Sequence, residues 1–182
     1  MSSREVSFFG LSVKTIVVHT LTYFLVGLIA STVFNYAELF TQTQLSSFMR
    51  PVEEPIVALG PALQFIRGIL FATAFYPLRE ILFGRKNGWL FIWLLLVTLG
   101  ILSTFGPSPG SVEGVIYTTL PIAEQFSGGF LEVLTQSFLL SAVLFYWVNN
   151  PDKRWLNWLL WILYALVLFM SVAGYFFLLG GS

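Results

Sequence analysis

Long apolar runs separated by short polar turns dominate the chain, and this pattern predicts its fold. A membrane-spanning helix needs about 20 apolar residues, and five segments approach that length. They are residues 11–34, 61–83, 88–105, 128–148 and 155–179. We therefore predict an all-α integral membrane protein, a bundle of five transmembrane helices in which residues 1–182 form one polytopic domain. The first run is too long for the apolar part of a cleaved signal peptide, so we expect it to be retained.

Composition agrees with a lipid environment. Hydrophobic residues make up 57% of the chain and charged residues 10%, whereas a soluble domain carries about 25% charged residues. The formal net charge is zero, so no nucleic-acid partner is expected. Cysteine is absent, which excludes disulfides and thiolate sites within the chain. Histidine occurs once. No cofactor and no metal site are predicted.

The basic residues predict the direction of insertion. Cytoplasmic turns are enriched in Lys and Arg, and most basic residues here fall on one side of the five-span arrangement. They are Arg4, Lys14, Arg79, Arg85, Lys86, Lys153 and Arg154. All six tryptophans lie near the same ends of the spans, where indole rings favour the membrane interface. We therefore predict a multi-pass protein of the cell membrane with its N-terminus inside and its C-terminus outside.

Two long connections are predicted on the outer side. Residues 35–60 and 106–127 contain apolar positions, so each is expected to be interfacial or re-entrant. The acidic residues collect there, at Glu38, Glu53, Glu54, Glu113 and Glu124. Acidic residues contribute little to orientation, so topology alone would also tolerate this pattern.

Arg67 is the main candidate for chemistry inside the bilayer. It lies about two turns into the second span, where an unpaired arginine costs about 2.5–3.5 kcal/mol on insertion scales. Glu132 and Gln136 lie four residues apart on the fourth span, and Gln64 shares a helix face with Arg67. We predict that Arg67 pairs with Glu132 and that the two glutamines complete the network. The network either lines an outward-facing pocket or only ties two helices together.

Two further residues carry candidate chemistry. Glu113 follows a string rich in glycine and proline and is flanked by apolar residues, so it is either a ligand or proton group at the bundle mouth or a solvated loop residue. His19 lies in the inner half of the first span, and Tyr76 is expected to approach its level. His19 is either a neutral histidine bonded between helices or a proton-active group.

Three functional hypotheses remain open on these residues. The first is an outward-facing charged pocket that binds or transports a small or lipid-like ligand or an ion, formed by Gln64, Arg67, Glu113, Glu132 and Gln136. The second is a structural or assembly subunit of a larger membrane complex. The third is an intramembrane enzyme acting on a lipid or isoprenoid. The expected partners are the lipid bilayer and either a second copy or another membrane protein.

Overall fold

A computed structural model describes residues 6–42, 44–47 and 49–181. Arg4, one of the basic residues used above, lies outside these ranges. Every regular element in the described ranges is helical, and no strand occurs in them. Three helical segments are long and apolar enough to cross a membrane: Phe8–Val33, Ile122–Asn149 and Arg154–Gly180. The protein is therefore all-α and has the composition of a membrane protein.

The described ranges contain ten α-helices. They are α1 (Phe8–Val33), α2 (Tyr36–Gln42), α3 (Pro55–Ala58), α4 (Gly60–Phe75), α5 (Arg79–Gly84), α6 (Gly88–Val97), α7 (Val112–Tyr117), α8 (Ile122–Gln125), α9 (Gly128–Asn149) and α10 (Arg154–Gly180). Short 3-10 turns occupy Gln44–Ser47 and Tyr76–Leu78, the latter containing Pro77, and a π-turn occupies Thr98–Leu102.

Helix α1 is the centre of the bundle. It begins where the Ser7 hydroxyl accepts a hydrogen bond from the Gly10 amide. It packs against α4, α9 and α10. Several of its serine and threonine hydroxyls donate to carbonyls of their own helix, as in Thr15 to Leu11 at 2.8 Å. Such residues can be buried without a partner on another helix. The buried hydroxyl of Thr20 is an exception and has no hydrogen-bond partner in the described residues.

Helix α4 begins alongside the middle of α1, well short of the C-terminal end of α1. The two helices are antiparallel, because Gly60 packs on Tyr23 while Gly68 packs on Ile16. Tyr23 precedes the end of α1 by about 15 Å of helix. The 16 residues of α4 extend over about 24 Å, short of a hydrocarbon core of about 30 Å. Helix α4 is therefore shorter than the predicted second span, and it covers the N-terminal part of α1.

The basic end of the bundle is held together by side chains from distant parts of the chain. Lys14 donates to the Trp147 carbonyl at 3.2 Å, and the Trp147 indole donates to Asn157 at 2.5 Å. The Phe8 and Tyr76 rings meet edge to face at 5.4 Å. These contacts bring the start of α1, the end of α4, the end of α9 and the start of α10 to one end of the bundle.

The opposite end carries the two long connections. Asn35 adopts a left-handed conformation with φ of 47° directly after α1, a conformation that asparagine tolerates better than most residues. The chain then turns into α2, where Tyr36 is buried and stacks on Phe40 at 4.7 Å. In the second connection, the Ser111 hydroxyl caps α7 by accepting from the Gly114 amide at 2.9 Å.

Candidate functional site

A buried histidine joins three helices near the middle of α1. His19 Nε2 lies 3.0 Å from Oε1 of Gln64 on α4. His19 Nδ1 lies 3.3 Å from Nε2 of Gln136 on α9. All three side chains are buried, and His19 is only 1% exposed. We call this set, His19 with Gln64 and Gln136, the histidine junction.

The hydrogen bonds of the histidine junction define its donors and acceptors. Gln64 Nε2 donates to the Gly60 carbonyl at 3.0 Å, so the oxygen of its amide faces His19. His19 Nε2 therefore donates its proton to Gln64, and Nδ1 accepts from Gln136. This arrangement satisfies both nitrogens of a neutral imidazole. The neutral state of His19 stays a prediction.

Gln64 and Gln136 were expected beside Arg67, and they contact His19 instead. The reason is the register of α4 against α1. Because α4 starts alongside Tyr23, its second turn reaches the level of His19. If every span started at a common membrane surface, Gln64 would lie at a different level along α1.

The expected ion pair between Arg67 and Glu132 is not formed in the described part of the chain. Gly68, next to Arg67, packs on Ile16, whereas Oε1 of Glu132 lies beside Gly27. Ile16 and Gly27 are separated by about 16 Å of helix, so the backbone at Arg67 and the Glu132 carboxyl lie at different positions along α1. The Arg67 guanidinium instead lies 5.6 Å from the Phe71 ring.

Glu132 has a different partner, which the sequence argument missed. The hydroxyl of Tyr36 donates to Oε2 of Glu132. Burial, the hydrogen bond and the charge of Glu132 all raise the pKa of Tyr36 above its ordinary value, so the phenol keeps its proton and remains the donor. The second carboxyl oxygen, Oε1, accepts no hydrogen bond within the described residues. The only sequence signal for this contact is Asn35, because an asparagine directly after an apolar run is typical of a helix end.

A groove runs along the surface between α1 and α9 and reaches Glu132. Its volume is about 220 Å³, smaller than the roughly 300–1,000 Å³ of ordinary small-molecule pockets. It is lined by Leu25, Val26, Ile29, Ala30, Val33, Phe34, Leu131, Glu132, Thr135 and Leu139. The walls are therefore apolar except at Thr135 and Glu132. We call this feature the α1–α9 groove.

Glu113 and Tyr76 lie apart from these groups. Glu113 is half-buried in the first turn of α7, and its carboxyl makes no hydrogen bond or ion pair in the part of the chain that the structure describes. Tyr76 packs on Phe8 and lies under the Arg79 guanidinium. Phe8 precedes His19 by about 16 Å of helix, so Tyr76 is not at the level of His19.

The connection around Glu113 is held in place by Gln125, which was not among the candidate residues predicted from the sequence. Gln125 is 1% exposed, and its Nε2 donates to the carbonyls of Gly114 at 3.2 Å and Leu120 at 3.1 Å. Gly110 has a φ of 81°, and a Cβ there would lie 2.5 Å from the Phe130 ring. These contacts fix α7 and α8 against the start of α9.

Comparisons with known proteins identify no relative: no family model, no curated protein and no solved structure matches the chain. Its candidate function therefore rests on the chemistry of its own side chains.

Proposed function

We propose that this chain is a multi-pass membrane protein that binds or transports a lipid-like molecule with a hydrogen-bond-donating or cationic head. The α1–α9 groove supports this proposal. Its apolar walls suit a hydrocarbon chain, and its polar end presents the carboxyl group of Glu132. Tyr36 occupies one oxygen of that group, which leaves Oε1 to accept a bond from a ligand. A narrow apolar groove with one polar end favours an amphipathic ligand over a free ion.

The proposal includes five spans with the N-terminus inside. Helix α4 with the turn around Pro77, and α6 with its π-turn, would be the second and third spans. Lys14 and Trp147 meet at one end of the bundle, and Glu132 lies toward the other. The positive-inside rule would place the basic end in the cytoplasm. Reporters fused to the two chain ends test this: they should report opposite compartments, and the same compartment for both would refute the topology.

Photo-crosslinking tests the ligand chemistry. The purified protein would be exposed to three diazirine probes of equal chain length: an alkylamine, an alkyl alcohol and a fatty acid. We expect the amine to label peptides of α1 and α9 most strongly, because it pairs with Glu132. A hydrogen bond to a charged group contributes about 1.5–3 kcal/mol, so Glu132→Gln should reduce amine labelling by about tenfold or more.

The controls separate head recognition from general lipid contact. Glu124→Gln removes an exposed carboxyl from the same end of the bundle and should leave amine labelling unchanged. Alcohol labelling should change little in Glu132→Gln, because the apolar walls remain. Equal labelling by all three probes, or unchanged amine labelling in Glu132→Gln, would refute the proposed ligand.

A further inference from the structure

Arg67 is a positive charge without a carboxylate in the described part of the chain. The residue is exposed on α4, and it makes no side-chain hydrogen bond and no ion pair there. Its guanidinium lies 5.6 Å from the Phe71 ring, and that ring meets His19 edge to face at 5.0 Å. A cation–π contact is weaker than an ion pair with a carboxylate and leaves the donors of the guanidinium unused.

The depth of Arg67 makes an unpaired charge costly. Because Gly68 packs on Ile16, Arg67 is level with a point about a third of the way along α1 from its N-terminal end. The nearer end of α1 is about 12 Å of helix from Ile16. The Cα–Cβ bonds of α4 tilt toward its own N-terminus, which is away from that nearer end. The guanidinium lies next to the Phe71 ring.

The residues around Arg67 form a continuous open face on α4. Leu63, Ile66 and Leu70 are 42%, 51% and 62% exposed, and Ala74 is exposed one turn further along. Together with Arg67 they recur at intervals of three and four residues, which places them on one side of the helix. The buried side of α4, with Gln64 and Gly68, faces α1. We call the open side the Arg67 face.

We infer that the Arg67 face binds a transmembrane helix of another protein that carries a carboxylate level with Arg67. Ionisable residues inside a membrane usually pair with one another, and the guanidinium offers donors that match a carboxylate. The apolar residues on both sides of Arg67 give the partner helix a packing surface, and Ala74 allows close approach. This inference rests on the proposed second span, which includes α4. It is independent of the proposed ligand, because the α1–α9 groove lies between other helices.

A charge-swap experiment with designed helices tests the inference. The full chain, labelled with a donor dye at its C-terminus, would be reconstituted in lipid vesicles with acceptor-labelled Leu-rich transmembrane peptides. The peptides differ only at the central residue, which is Glu, Gln or Lys. We expect the Glu peptide to associate about tenfold more tightly than the Gln peptide, and the Lys peptide to associate least.

Variants of the protein then assign the effect to Arg67. Arg67→Gln should abolish the preference for the Glu peptide, and Arg67→Glu should transfer the preference to the Lys peptide. Recovery by the charge swap also shows that the variant is folded. Arg50→Gln removes an exposed arginine outside α4, and Glu132→Gln alters the groove, so both should retain the wild-type preference.

Two results would overturn the inference. One is equal association of the Glu and Gln peptides with the wild-type protein. The other is strong energy transfer between two labelled copies of the wild-type protein, if Arg67→Gln abolishes this transfer and the Glu peptide does not reduce it. In that case the Arg67 face would be an interface between copies of this chain.

Discussion

The substitution Gly68→Ala should separate α1 from α4. A Cβ at this position would lie 2.7 Å from the Ile16 Cα, 2.8 Å from its Cγ1 and 3.1 Å from its backbone nitrogen. Carbon atoms in favourable contact are about 3.5–4.0 Å apart, so the nearest contact must lengthen by about 0.8 Å. Two of the three atoms belong to the backbone, so a change of side-chain rotamer cannot relieve the clash. The helices themselves must move.

The loss of stability in Gly68→Ala can be estimated from overpacking and compared with a matched control substitution. Forcing an extra methyl group into a packed interface typically costs about 1–3 kcal/mol. Replacing glycine by alanine inside a helix also gains about 0.5–1 kcal/mol, and Gly174→Ala on α10 includes the same gain. Among the described residues, a Cβ at Gly174 would contact Ala58 alone, at an ordinary 3.5 Å. Gly68→Ala should therefore be about 1–3 kcal/mol less stable than Gly174→Ala.

Reversible unfolding in mixed detergent micelles, followed by tryptophan fluorescence, measures this difference. Gly68 follows Gln64 by one turn, and Ile16 precedes His19 by about one turn, so separation there should also weaken the bond between His19 and Gln64. Equal unfolding free energies for the Gly68 and Gly174 variants would refute the close crossing of α1 and α4.

Three further predictions concern the candidate site and its surroundings. A double-mutant cycle of His19→Ala and Gln64→Ala should give a coupling energy of about 0.6–1.7 kcal/mol. If the two changes in unfolding free energy are additive, the histidine junction does not stabilise the packing of these helices. Gly114→Ala should destabilise the protein more than Gly106→Ala in the same unfolding assay. A Cβ at Gly114 would lie 2.0 Å from the Ser108 carbonyl oxygen, whereas a Cβ at Gly106 would have no described atom within 4 Å. The raised pKa of Tyr36 means that its stabilising contribution is complete below about pH 10 and is lost as the pH rises further. Stability measured above pH 10 should therefore fall more in the wild type than in Tyr36→Phe.

The sequence predicts the long helices well, because uninterrupted apolar runs define them. The run at 128–148 becomes α9 at Gly128–Asn149, and the run at 155–179 becomes α10 at Arg154–Gly180. The predictions for the second and third spans are less accurate. Pro77 and the glycine at position 100 interrupt regular helix there, so the predicted runs contain 3-10 and π-turns.

The pairing of polar side chains could not be predicted in the same way. The sequence identifies Gln64 and Gln136 as polar residues inside apolar runs, and both are buried in the structure. Their partner, however, depends on how far α4 is shifted along α1, and that shift follows from the close packing of Gly68 on Ile16. Likewise, the contact between Tyr36 and Glu132 depends on a turn at Asn35 that the apolar pattern does not encode.

The hydrogen bond from the Ser171 hydroxyl to the Ala58 carbonyl, at 2.5 Å, has a consequence for biosynthesis. Ala58 ends α3, immediately before α4, whereas Ser171 lies in α10, 113 residues further along the chain. Helix α1 also packs against α10, so α1 completes its contacts only after α10 has been made. The entry to α4 therefore stays without this contact until α10 is translated, and a chain truncated before residue 171 would lack it altogether.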